Sequence, residues 1–172
     1  DTNYALDTTR DLLLASSSTT GQIYQINNNT LTETLLTNYD GTAIDFLVPI
    51  QTMAVDIDDN LLFYVLTTSN TTLRVYDFIT KLSAVVLSPL TSGGWSPGNI
   101  ISAITFDQID HVLFMIGDLN GGNVMKVPIT PFNRSVGLIV GTTSVYLSPF
   151  VSAAGNVQQC ITIDSISKTL SG

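Results

Sequence analysis

The stretch MAVDIDDNLLFYV, residues 53–65, runs an alternating apolar segment into an aspartate, turns through polar residues and resumes as a second apolar run. That is the sequence form of a β-hairpin. The same form returns as YALDTTRDLLLAS (4–16), SAITFDQIDHVLFMI (102–116) and QCITIDSISKTL (159–170). Ala5, Ala54, Ala103 and Cys160 keep one register, spaced 49, 49 and 57 residues apart. A third strand follows each full hairpin, at Ile23–Ile26, Leu73–Tyr76 and Val124–Val127. VVLSPL (85–90) returns as VYLSPF (145–150), a fourth strand with its exit turn, and an insertion at 131–143 lengthens the third unit.

Four short strands in a unit of about 50 residues form the pattern of a β-propeller blade. The expected organisation is blade 1 over 1–51, blade 2 over 52–100, blade 3 over 101–156 and a partial blade 4 over 157–172. A β-sandwich or jelly roll is the alternative, since its short strands produce a similar pattern. The segment MAVDIDDNLLFYVLTTSNTTLRVYDFITK (53–81) resembles blades of the NHL, YVTN and YWTD propeller group, in which an A-V-D strand precedes a D/N turn. The resemblance extends over nearly the whole chain. It implies a rigid array whose loops meet partners, and because the group's binding residues sit in variable loops, none is carried over. Three units and a hairpin do not close a ring of about 4–8 blades. Further strands, from a longer chain or a second copy, are therefore expected to complete Val157–Gly172.

Composition agrees with strands. Thirteen of the fourteen acids are aspartate, with Glu33 the exception, and aspartate favours turns over helices. Thr, Val, Ile and Leu are abundant. The net charge is −8 and the six basic residues are scattered, which argues against nucleic acid and anionic membrane surfaces. No apolar run reaches the roughly 18 residues of a membrane-spanning helix. Charged residues are 12% of the chain, about half the usual ~25%. Low charge with much Ser, Thr and Asn suggests an extracellular or cell-surface protein. Glycosylation sequons stand at Asn28, Asn70 and Asn133, although a random order of this composition supplies about as many.

Several residues invite a chemical reading. G-W-S-P-G (94–98) matches the G-x-S-x-G pattern of a hydrolase nucleophile elbow. Pro97 follows Ser96, however, and has no N–H for an oxyanion hole. No catalytic residue is assigned. Trp95, in the loop between units two and three, would stack on a sugar ring or anchor a protein contact, or would cover the gap between blades. Asp7, Asp56, Asp107 and Asp164 end successive inner strands. They read either as hairpin caps or as a ring of carboxylates for Ca²⁺, which takes six to eight oxygens. DLNGGN (118–123) reads as a tight turn. Cys160 occupies a small-residue core position, with pairing outside this sequence as the alternative. One Cys and one His do not make a Cys/His structural zinc site.

The expectation is thus a non-enzymatic extracellular propeller serving structure or protein interaction, with no cofactor. Its partners would be the rest of a longer chain, other copies of itself in a surface or filament assembly, or glycan. A lectin-like module using Trp95 is one alternative. A Ca²⁺-dependent lactonase or hydrolase, which the propeller resemblance also suggests, is the other.

Overall fold

The computed structural model describes residues 4–7, 12–38, 40–87, 100–117, 124–129, 144–147, 162–164 and 169–171. Strands β1 (Tyr4–Asp7), β2 (Leu12–Ser16), β3 (Ile23–Asn27) and β4 (Glu33–Leu35) form one antiparallel sheet in chain order. A second sheet follows from β5 (Ile50–Asp56), β6 (Leu61–Leu66), β7 (Leu73–Asp77) and β8 (Leu82–Leu87). A third follows from β9 (Ile101–Asp107), β10 (Val112–Gly117), β11 (Val124–Pro128) and β12 (Ser144–Leu147). β13 (Thr162–Asp164) and β14 (Thr169–Ser171) pair as a hairpin. One 3₁₀ turn, Thr67–Ser69, is the only helical element among the described residues. β5 begins two residues before the boundary expected at 52.

Successive sheets meet along their first strands: β1 lies beside β5, β5 beside β9, and β9 beside β13. Sequential meanders stacked in this way are propeller blades, and Greek-key crossovers of a sandwich do not occur among the described strands.

The reason lies in β6 and β10, LLFYVL and VLFMIG, which are buried at every residue. A strand apolar on both faces needs a sheet on each side. Leu62, Tyr64 and Leu66 enter one core with Ala5, Leu14, Ile23 and Ile44 of the first unit. Leu61, Phe63 and Val65 enter another with Ile104, Phe106, Leu113 and Met125 of the third. Phe46 stacks on Tyr64 in the first core at 4.2 Å, and Phe63 on Phe106 in the second at 5.5 Å. Tyr76 and Phe114 are buried as well, whereas Tyr24 is half-buried with its hydroxyl donating to Gln22.

Aspartate, rather than alanine, is the landmark that keeps register. Asp7 pairs with Leu12, Asp56 with Leu61, Asp107 with Val112 and Asp164 with Thr169, so each hairpin has the same loop length. Ala54 lies two residues before its strand-end aspartate, but Ala103 lies four before. The alanine spacing therefore understates the offset of the third unit.

Candidate functional site

The turns after Asn27, Asp56, Asp77 and Asp107 share one construction. The side chain of the last strand residue accepts backbone N–H bonds from the loop, and the fourth loop residue enters the left-handed region. Asn27 Oδ1 accepts from Asn29 and Thr30 at 2.9 and 3.0 Å. Asp107 Oδ1 accepts from Ile109 and Asp110 at 3.0 and 3.3 Å. Asp77 Oδ1 accepts from Ile79 at 2.8 Å, and its Oδ2 takes the Thr80 hydroxyl at 2.9 Å. Leu31, Asn60, Lys81 and His111 each close such a loop with φ between 50° and 62°. A non-glycine residue there carries a steric cost of about 1–2 kcal/mol, least for asparagine.

The Asp56 turn departs from this pattern at its second carboxylate oxygen. Oδ1 accepts the Asp59 N–H at 3.2 Å, but Oδ2 is fully buried with no hydrogen-bond partner. Burial is the main reason that the Asp56 carboxyl is pushed above the ordinary carboxylate range; the hydrogen bond from the Asp59 N–H and the His111 imidazole pull it back, while the charges of Asp59 and Asp58 push it further up. The imidazole of His111 comes from the equivalent turn of the next sheet, with Nδ1 3.8 Å from Asp56 Oδ2 and Nε2 4.0 Å from Asp58 Oδ2. His111 Nδ1 is likewise buried without a hydrogen-bond partner. The Phe106 ring meets the imidazole edge-on at 6.2 Å. Among the described residues, Asp56, Asp59 and His111 form the one group of three metal-capable side chains, their ligand atoms all within 4.8 Å of one another.

Side chains that bridge the facing edges of β5 and β9 bring these turns together. Gln108 Oε1 accepts the Ile57 N–H at 3.0 Å while its Nε2 donates to the Val55 carbonyl. Thr52 Oγ1 accepts from the Ile104 N–H at 3.2 Å, and Gln51 Nε2 donates to the Ile101 carbonyl at 3.1 Å. Gln108 thus acts as a short piece of strand, fixing the third sheet's first turn against the second's.

The sequence-derived candidates fall as follows. Asp56 and Asp107 end neighbouring strands, but Asp56 groups with Asp59 and His111, while Asp107 caps its own loop. Asp7 and Asp164 end β1 and β13, and their side chains lie outside the described residues, as do Trp95, Ser96, 118–123, Asn133 and Cys160. Asn28 is exposed in its turn. Asn70 is half-buried, its carbonyl accepting the Ile101 N–H at 2.7 Å. Sequence reasoning did not find the Asp56–His111 encounter. The signal available was that both residues belong to the first turns of adjacent units.

No protein-family model matches the chain, and no curated protein matches it. Solved structures do share its fold. One is the 1.70 Å crystal structure of a structural-genomics protein of unknown function from Bacteroides thetaiotaomicron, with a TM-score of 0.55 and 14% identity. That similarity covers 85% of this chain and 33% of the other, so this chain spans about a third of the protein it matches. At that identity the likeness concerns the fold, an all-β array of four-stranded antiparallel sheets.

Proposed function

We propose that the chain is a non-enzymatic extracellular β-propeller segment of the NHL/YVTN/YWTD type, acting as a structural or protein-interaction module within a larger surface or filament assembly. The observation that carries this reading is the outward face of β1. Ala5 is buried against the second sheet, whereas Tyr4 and Leu6, on the opposite face, are 58% and 55% exposed. Apolar side chains on the first strand of a blade normally meet a neighbouring blade. The β13–β14 hairpin supports the same reading from the other flank, since two strands alone are marginal in water and an open edge takes further strands. A solved protein of this fold about three times the length of the matched stretch fits a longer array. Low charge with abundant Ser, Thr and Asn favours the exterior of the cell.

Sedimentation velocity of residues 1–172 tests this. The expected result is concentration-dependent association that Tyr4→Lys with Leu6→Lys disperses while circular dichroism still shows the native β signal. A stable, strictly monomeric wild type at tens of micromolar would overturn it.

A further inference from the structure

We propose that Asp56, Asp59 and His111 bind one divalent transition-metal ion, of which Zn²⁺ is the probe, and that the ion clips the second sheet to the third. Two atoms in the group are orphans of folding. Asp56 Oδ2 and His111 Nδ1 are both buried, and neither has a hydrogen-bond partner. Buried polar atoms are nearly always satisfied, so two orphans facing each other call for a third party. Their separation of 3.8 Å is too long for a hydrogen bond. It is close to the spacing of about 3.4 Å that a tetrahedral ion with ligands at about 2.0–2.2 Å imposes.

The ligand chemistry selects the ion. Two carboxylates and an imidazole suit zinc or manganese, whereas Ca²⁺ takes an all-oxygen shell. Three protein ligands leave the remaining positions to water. Asp58 Oδ2 lies 4.0 Å from Nε2, beyond hydrogen-bond distance, and Nδ1 is the imidazole nitrogen that faces the Asp56 carboxylate. The charge also fits, because three carboxylates, Asp56, Asp58 and Asp59, lie around the imidazole. His111 holds a left-handed conformation, φ 50°, at a loop position where glycine would be unstrained. A ligand role gives a reason for histidine there.

Because His111 is the only histidine in the chain, its imidazole ¹⁵N signals report the site directly. Zn²⁺ titrated into residues 1–172 should bind one equivalent by calorimetry, shift the Nδ1 resonance and raise Tm. Asp56→Asn, which keeps the turn acceptor, and His111→Gly, which suits the backbone, should each fold normally. Each should weaken Zn²⁺ binding at least tenfold, whereas Asp40→Asn in a distant loop should leave it unchanged. The proposal is overturned if stoichiometric Zn²⁺ leaves Nδ1 unshifted, or if both variants bind as the wild type does. Ca²⁺ binding in preference to Zn²⁺ would overturn it as well.

Discussion

Replacing Gln108 with alanine removes the side chain that joins the first turns of the second and third sheets. Its amide accepts from the Ile57 N–H and donates to the Val55 carbonyl. Each net hydrogen bond contributes about 0.5–1.5 kcal/mol, and a buried group left unpaired costs about 1–3 kcal/mol. Val55 is only 4% exposed, so water does not readily replace the lost donor. The expected loss is therefore about 2–4 kcal/mol, and with a urea m-value of about 2 kcal/mol/M the midpoint falls by roughly 1–2 M. Gln108→Glu adds a sharper control. At neutral pH its carboxylate still accepts from Ile57 but faces the Val55 carbonyl, close to Asp56 and Asp58, and should be at least as unstable as alanine. Near pH 4 the protonated acid again donates, so part of the loss should be recovered. Urea denaturation at both pH values, with hydrogen exchange at the Ile57 amide, measures these effects. An alanine variant within about 0.5 kcal/mol of wild type, with Ile57 still protected, would refute the bridging role.

Phe63→Ala should cost about 3–5 kcal/mol in the same denaturation experiment, because the ring is fully buried against Phe106 between two sheets. Asp107→Ala should lose about 1 kcal/mol through its two loop N–H bonds, and Asp107→Asn less, since an amide oxygen still accepts them. Asp56→Asn should stabilise the metal-free protein at pH 7. The folded state raises the Asp56 pKa, so its contribution is full below the unfolded carboxylate range and is lost as pH rises through the folded value. Tm at pH 4 and pH 7 should accordingly differ less in Asp56→Asn than in wild type.

The architecture was legible because the strands that build it are locally distinctive. LLFYVL and VLFMIG offer apolar side chains to both faces, and each is preceded by an aspartate at a fixed loop distance. The alanine register misled by two residues in the third unit, because small residues are tolerated at more than one place on an inner strand, whereas the loop cap is not. The site was hardly legible. Asp56 and His111 read as ordinary turn residues within their own hairpins, and neither turn signals its partner. Their encounter depends on Gln108 reaching across to Val55 and Ile57, a contact with no local pattern. Only the placement of equivalent turns in adjacent sheets foreshadowed it.

An experimental structure of the longest natural chain containing these residues tests the central claim most directly, which is that the stacked sheets form part of a larger propeller array. The predicted result is a β13–β14 hairpin extended by further strands, from the same chain or a second copy, with Tyr4 and Leu6 covered by a neighbouring sheet. A bare two-stranded β13–β14 together with solvent-facing Tyr4 and Leu6 would contradict it.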